Sequence, residues 1–167
     1  MDRILVPLDG SPLAEAVLPH AKDLALGLSA TIYLVRVVPL ARQLAAASFA
    51  GSGGIEGVSA LDITAIDEAV ALQMQDARTY LEEQAGALTA EGIAVEWEVR
   101  QGTTVEEIIQ SAQASNIDII AISSHGRSGL GRLVFGSVCD RVMRESGLPL
   151  LVIKPSRKDI SSGAADE

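Results

Sequence analysis

Short apolar runs alternate with amphipathic stretches along this chain, and the alternation constrains the class of fold. Five runs predict strands, at Arg3–Leu8, Thr31–Val38, Ile93–Arg100, Ile117–Ser123 and Leu148–Lys154. The stretches between them place apolar residues at intervals of three and four, which is typical of helices. Strands that alternate with helices form parallel sheets with right-handed crossovers. We therefore predict an open α/β fold: a five-stranded parallel sheet with helices on both faces.

Capping residues mark where the helices begin. Ser11 is the predicted N-cap of the first helix, with Pro12 at the first helical position. Pro19 lies inside this helix and is expected to kink it, because proline lacks the backbone N–H. Two capping boxes predict further helix starts, one formed by Thr64 with Asp67 and the other by Thr104 with Glu107.

Residues 40–63 interrupt the pattern with a small, largely uncharged segment. We expect a mobile loop or a loosely held helical turn. A tolerated surface insertion is one interpretation, and a lid or partner contact is the other. Residues 1–155 are expected to form one domain, followed by a polar and frayed tail at 156–167.

Composition excludes several classes of partner. The formal net charge is −9, which disfavours binding to a nucleic-acid duplex. Aromatic residues make up only 3%, so base-stacking platforms for single strands are also disfavoured. No apolar run approaches the roughly 20 residues that span a bilayer. Because there is one cysteine, Cys139, and no signal-peptide pattern, we expect a soluble, cytoplasmic protein without nucleic-acid or membrane partners.

A loop rich in glycine, serine and arginine connects the fourth predicted strand to the next helix, from Ser123 to Ser137. The first backbone N–H groups of a helix have no partner within it, and the helix dipole there favours negative charge. Glycines also let a ligand approach the backbone closely. The loop therefore predicts an anion site, most plausibly for phosphate. Its Gly129-Leu130-Gly131 segment is not the dinucleotide fingerprint, which would follow the first strand.

The spacing in this loop resembles that of a known family. Gly126, nine further residues and Gly136-Ser137 resemble the nucleotide loop G-x2-G-x9-G-[ST] of the universal stress protein family. The first glycine of that pattern is replaced by Ser123, whose hydroxyl could donate to a ligand. The residues from Ile4 to Ser11 resemble the family's first strand and turn, and those from Leu148 to Lys154 resemble its last strand. The resemblance covers residues 1–155.

The resemblance implies strand order 3-2-1-4-5, the arrangement called adenine nucleotide alpha hydrolase-like. In that order the winding reverses between strands one and four, and open α/β sheets bind ligands at such a point. Asp9 ends the first predicted strand, and Ser123 ends the fourth. These residues are therefore expected at one pocket.

The family's site implies an adenine nucleotide, ATP or AMP, as the ligand. Val37 would recognise adenine through its backbone, Pro7 and Leu8 would form a wall, and Asp9 would contact the base, the ribose or a bridging Mg²⁺. The remaining positions come from the loop and the next helix, with the loop residues implied to hold ribose and phosphates: Ser123, His125, Gly126, Arg127, Gly136, Ser137 and Val138.

Several of these residues have a second interpretation. Asp9 could be a solvated turn residue, and Ser137 could serve only as a helix N-cap paired with Asp140. His125 could act as a general base, although an orienting role in the loop is favoured because no nucleophile is placed beside it. Cys139 could be a reactive thiol near a helix N-terminus or a buried one.

We predict a dimeric stress or signalling sensor that binds ATP or AMP. The resemblance implies a homodimer through the last strand, residues 148–154, which would otherwise be an exposed sheet edge. One alternative is a slow ATP hydrolase; no acid or base group is evident for it, so at most weak ATPase activity is expected. The other is a dimeric interaction module without nucleotide binding, which the serine at position 123 favours. The protein partner is not identified by the sequence.

Overall fold

The computed structural model describes residues 1–40, 60–124 and 136–155. The strands are β1 (Arg3–Pro7), β2 (Thr31–Val38), β3 (Val95–Gln101), β4 (Ile119–Ser123) and β5 (Leu150–Ile153). The helices are α1 (Pro12–Glu15), α2 (Leu18–Leu28), α3 (Ala60–Ala90), α4 (Thr104–Ala114) and α5 (Ser137–Glu145). Within these ranges each predicted strand is present, with ends that differ by at most two residues.

The strands form one parallel sheet in the order β3-β2-β1-β4-β5, which confirms the predicted fold class and strand order. Arg3 pairs with Thr31 on one side of β1, and Ile4 pairs with Ile119 on the other. The chain therefore reverses its winding direction between β1 and β4. Parallel strands all end at the same edge, so β1 and β4 place their carboxyl ends side by side.

Apolar residues on successive strand positions pack against opposite helical layers. In β1, Ile4 and Val6 belong to a core cluster that includes Leu81 of α3. Leu5 faces the other way and belongs to a cluster that includes Val142 of α5. The sheet is therefore covered on both faces, as its near-continuous apolar strands predicted.

The segment predicted as one helix kinked at Pro19 is divided into two separate helices. Helix α1 ends at Glu15, and α2 starts at Leu18 with Pro19 in its first turn. A proline is tolerated there because the first N–H groups of a helix have no intrahelical partner. Ser11 caps α1 as predicted, since its side chain accepts a hydrogen bond from the backbone N–H of Ala14.

The two predicted capping boxes are not the helix starts. Helix α3 begins at Ala60 instead of Thr64, because the alanine and leucine that open it are strong helix formers. Helix α4 has Thr103 as its N-cap, one residue before the predicted Thr104. The Glu107 side chain lies beside Gly102, and its Oε2 accepts from Nε of Arg100 at 2.7 Å. A charge-assisted bond of this kind is stronger than a bond to a neutral amide.

Two predicted segments fall mainly outside the described residues. They are most of the insert at 40–63 and the whole tail at 156–167. The part of the insert from Ala60 onward belongs to α3. Among the described helices, none combines the length and the apolar character that crossing a bilayer requires.

Candidate ligand cleft at the winding reversal

A cleft of about 850 Å³ opens where the strands end, between the helices that cover the two faces of the sheet. It lies at the reversal between β1 and β4, as the fold rule for open α/β sheets expects. Eight residues of the predicted nucleotide site line it: Pro7, Leu8, Asp9, Val37, Ser123, Gly136, Ser137 and Val138. The other three predicted residues, His125, Gly126 and Arg127, lie outside the described residues.

The turn after β1 brings a carboxylate to the cleft. The Oδ1 atom of Asp9 accepts hydrogen bonds from the backbone N–H of Ser11 at 2.9 Å and from its hydroxyl at 2.6 Å. Between them, Gly10 has a φ of +81°, a conformation that glycine adopts with little strain. Asp9 is thus a turn residue and a cleft-lining residue at once, so the two interpretations of it are compatible.

The register of β2 decides which way the backbone of Val37 points. Residues of a parallel strand direct their N–H and C=O groups alternately to one neighbour and the other. The N–H of Thr31 donates to the C=O of Asp2 at 2.8 Å, and the C=O of Val35 accepts from the N–H of Leu8 at 2.9 Å. Alternate residues from Thr31 onward therefore face the β1 side, and Val37 is one of them.

Strand β1 is too short to pair with Val37. The last register pair of these two strands joins Pro7 to Val35, so the position opposite Val37 is the turn at Asp9. The N–H and C=O of Val37 consequently face the cleft instead of another strand. The N–H donor and the C=O acceptor belong to the same residue and face the same way, so they form an edge that can pair with a heteroaromatic base.

The end of β4 and the start of α5 form the opposite wall. The N–H of Gly136 donates to the C=O of Ser124 at 2.7 Å, so the chain before and after residues 125–135 meets at the cleft. Gly136 is the N-cap of α5, and Ser137 is its first helical residue. The alternative in which Ser137 is the N-cap is therefore wrong. Asp140, its suggested capping partner, forms an ion pair with Arg144 at 3.1 Å.

The start of α5 supplies the polarity that an anion requires. Backbone N–H groups of a first helical turn have no intrahelical acceptor, and they point out of the helix end. Ser137 and Val138 occupy this turn, and both line the cleft. The cleft wall therefore combines the positive end of a helix dipole with the hydroxyl-bearing residues Ser123 and Ser124.

Cys139 lines the same cleft but is a buried thiol. Only 2% of its surface is exposed. Burial raises the pKa of the thiol, and the neighbouring Asp140 carboxylate raises it further. The geometry therefore favours the structural interpretation of Cys139 over the reactive one.

The polar residues of the cleft include several that were not predicted as site residues. Arg36 extends from β2, while Gln73 and Asp76 come from α3. The guanidinium of Arg36 lies 4.8 Å from the ring centre of Tyr80, whose hydroxyl donates to Glu15 at 2.8 Å. Burial and this hydrogen bond raise the pKa of Tyr80, so the phenol remains a donor. The sequence offers a partial signal for Arg36, a charged residue inside an apolar strand, but none for its contact with Tyr80.

The described residues do not form a preassembled metal-binding site. They contain no group of three or more histidine, cysteine, aspartate or glutamate side chains arranged to hold an ion. Asp9 and Asp76 both line the cleft, and each offers oxygen atoms of the kind that Mg²⁺ prefers.

The fold and the position of the cleft define an α/β protein with a cleft at a topological switch point. The sequence model of the universal stress protein family matches residues 1–154. The chain belongs to the universal stress protein family.

Named relatives agree with this assignment. Universal stress protein MJ0531 of Methanocaldococcus jannaschii is 28% identical over 157 residues, which cover 94% of this chain and 84% of that protein. Stress response protein NhaX of Bacillus subtilis is 29% identical over 170 residues, covering 92% and 98%.

Solved structures share the fold. The structure of protein MJ0577 of Methanocaldococcus jannaschii has a TM-score of 0.75 at 26% identity, covering 93% of this chain and 97% of that one. Two more distant structures carry ligands. A universal stress protein in complex with cAMP has a TM-score of 0.58 at 19% identity, covering 91% of this chain and 95% of that one. A universal stress protein family protein from Arabidopsis thaliana with AMP bound has a TM-score of 0.60 at 14% identity, covering 100% of each chain.

Proposed function

We propose that this universal stress protein binds an adenine nucleotide, ATP or AMP, in the cleft between β1 and β4. The observation that carries the proposal is the unpaired edge of β2, where Val37 turns its N–H and C=O toward the cleft beyond the end of β1. This edge lies opposite the start of α5, across a space of about 850 Å³. A ligand with a flat hydrogen-bonding base at one end and an anion at the other suits both walls.

The nucleotide would lie with its base at β2 and its phosphates at α5. In this orientation Pro7 and Leu8 contact the nucleoside, and Asp9 accepts from a ribose hydroxyl or the base. Ser137 and Val138 offer backbone N–H groups to phosphate oxygens, and Gly136, whose own N–H is bonded to Ser124, lies beside them at the start of the helix. Ser123, His125, Gly126 and Arg127 complete the phosphate end, with the charge of Arg127 compensating that of the ligand.

Mg²⁺ would enter with the nucleotide instead of occupying a site of its own. Asp9 is the residue we assign to a nucleotide-bound Mg²⁺, because its carboxylate lies at the cleft and its Oδ1 is already oriented by Ser11. A bound ion of this kind would offset the repulsion between the carboxylate and the phosphates.

We further propose a sensing role for a cytoplasmic homodimer. Among the described strands β5 pairs only with β4, and all four of its residues, Leu150–Ile153, are half-buried in the single chain. An apolar edge strand is a template for pairing with another strand, so we assign the segment 148–154 to the subunit interface. Nucleotide occupancy would then be communicated to a protein partner through the dimer.

A module that dimerises without binding nucleotide is the second candidate. Ser123 favours it, because a side chain stands where the family pattern has glycine, and this residue is buried at the cleft. A Cβ atom at this position reduces the room for a phosphate next to the backbone. Slow ATP hydrolysis is less favoured, since the described cleft lining contains no histidine or lysine.

Calorimetric titration tests the proposal. Purified protein is titrated with ATP and with AMP, each with and without Mg²⁺, and turnover is measured in the same samples. We expect saturable binding that is weakened in Asp9→Ala and in Ser137→Pro, which removes a backbone N–H at the first helical position, where proline is tolerated. Thr89→Ala is the matched control, because Thr89 is exposed on α3 at the opposite edge of the sheet. Absence of binding at millimolar nucleotide would support the dimerisation module instead.

A further inference from the structure

Hydrogen bonds between neighbouring residues stabilise the turn that carries Asp9. Ser11 fixes the Oδ1 atom of Asp9 and also accepts from the N–H of Ala14, so turn and helix start are joined. These bonds are all local, within six residues of sequence. They set the shape of the turn but leave its position relative to α3 to other contacts.

Arg36 provides a contact of that kind. A Cβ atom built on Gly10 would lie 3.1 Å from one terminal nitrogen of the Arg36 guanidinium and 3.2 Å from its central carbon. The guanidinium thus occupies the space beside Gly10 into which any larger residue at this position would place its side chain. On α3, the same guanidinium lies 4.8 Å from the ring centre of Tyr80. Arg36 therefore lies between the turn and the helix, next to both Gly10 and Tyr80.

The Tyr80 ring, which contacts the guanidinium, is itself fixed in position by a hydrogen bond. The Tyr80 hydroxyl donates to Oε1 of Glu15 at 2.8 Å, which ties the ring to the end of α1. Among the described residues, Arg36 forms no ion pair with a carboxylate within 4.0 Å, and the Tyr80 ring is the partner of its guanidinium on α3. A guanidinium on an aromatic face is held by both dispersion and the ring quadrupole.

We propose that Arg36 is a positioning residue, which holds the Asp9–Ser11 turn at a fixed distance from α3 and so sets where the Asp9 carboxylate meets the ligand. This inference rests on the proposed nucleotide site for its effect on affinity. The claim that Arg36 fixes the position of the turn does not depend on nucleotide binding. Since α3 also supplies Gln73 and Asp76 to the cleft, the contact fixes two walls of the site against each other.

The first test uses the protein without ligand. Amide hydrogen exchange is measured by NMR at Ser11 and Ala14, with the buried Ala21 amide of α2 as the internal reference. We expect Arg36→Ala to speed exchange at the two turn amides about fivefold relative to Ala21. Arg36→Lys, which keeps the charge and loses the planar stack, is expected to behave like Arg36→Ala. Exchange unchanged in both variants would overturn the proposal.

A pair of glycine variants isolates the contact sterically. Gly10→Ala combines a φ of +81° with the close approach to Arg36, whereas Gly92→Ala has a φ of +87° with no atom within 4 Å of the new Cβ. Gly92→Ala therefore measures backbone strain alone. We expect Gly10→Ala to lower the unfolding midpoint further, and the excess to vanish in the Arg36→Ala background. Equal losses from the two glycine variants would contradict a tight contact.

Nucleotide affinity then separates positioning from direct binding. If Arg36 acts through Asp9, the variants Arg36→Ala and Asp9→Asn weaken ATP binding non-additively, and the double variant binds about as the Asp9 variant does. Additive losses would instead assign Arg36 to the ligand itself and overturn the positioning role. If the parent protein binds no ATP, the proposed function fails, and the exchange measurement decides the geometric claim. If the parent binds and Arg36→Ala matches it in both assays, only the positioning role fails.

Discussion

Ser11 donates two hydrogen bonds to a single oxygen of Asp9, from its backbone N–H at 2.9 Å and from its hydroxyl at 2.6 Å. The same hydroxyl accepts from the N–H of Ala14 at 3.2 Å. One side chain thus orients the carboxylate at the cleft and caps the first helix. Site geometry and local stability are coupled at this residue.

Removal of the Ser11 hydroxyl is expected to affect both properties. Ser11→Ala should lower the free energy of unfolding by about 1 kcal/mol, the usual cost of a lost N-cap. It should also weaken ATP binding, because Asp9 loses one of the bonds that orient it. Urea denaturation and calorimetry measure the two effects. Ser11→Thr keeps the hydroxyl and is the control; a loss of the same size in Ser11→Thr would contradict the hydroxyl's role.

Helix α3 offers a matched pair of leucines for testing the core. Leu81 is fully buried against the sheet, whereas 60% of the Leu72 surface is exposed. Leu81→Ala should lower the free energy of unfolding by about 2–5 kcal/mol, through lost apolar burial and the cavity left behind. Leu72→Ala should change it by no more than about 0.5 kcal/mol. Similar losses in chemical denaturation would show that α3 does not pack as described.

The Cys139 thiol is expected to react slowly with alkylating reagents in the native protein. Burial, reinforced by Asp140, raises the pKa of its thiol and thereby lowers the thiolate fraction at pH 8. Alkylation by iodoacetamide should be on the order of 100-fold slower in the native protein than in urea, because the reagent must wait for local opening. A native rate close to that of the unfolded chain would identify Cys139 as an accessible, reactive thiol.

Asp118 should make stability depend on pH in the acid range. The backbone N–H groups of Asp2 and Arg3 donate to its Oδ2 at 2.6 and 3.1 Å, and they hold the pKa of the carboxyl below its ordinary value of 3.8. The contribution is therefore fully present above pH 3.8 and is lost as the pH falls through the lower folded-state pKa.

The variant Asp118→Asn tests this contribution. It should be less stable than the parent at pH 7, and the difference should shrink below pH 3.8, as followed by urea denaturation across pH. Asp67→Asn removes one carboxylate from an exposed position on α3 and serves as the control. A stability difference that stays constant from pH 7 to pH 2 would contradict the carboxylate's role.

The fold could be predicted because its main determinants are periodic in sequence. Apolar runs such as Thr31–Val38 form strands that are buried on both faces, and the helical stretches between them require parallel pairing. The order of the strands came from the family resemblance. Helix ends were less predictable: Thr103 and Thr104 are adjacent and equally credible caps by residue type, and the structure has Thr103 as the N-cap.

The cleft was predictable only in the parts that sequence places at strand ends. Asp9 and Ser123 follow or end apolar runs, so they could be assigned to the sheet edge. The contribution of Arg36 could not, because its contact with Tyr80 joins β2 to a helix more than 40 residues away. Contacts between distant side chains depend on packing, which leaves no periodic trace in the sequence.

The central claim is that an adenine nucleotide binds in this cleft, and NMR chemical-shift perturbation tests it most directly. Uniformly 15N-labelled protein is titrated with ATP and Mg²⁺. We predict saturable shifts at the amides of Asp9, Val37 and Ser137, with little change at Gln84 and Ala87, which lie in α3 away from the cleft. No shifts at millimolar ATP, or saturable shifts confined to residues outside the cleft, would contradict the account.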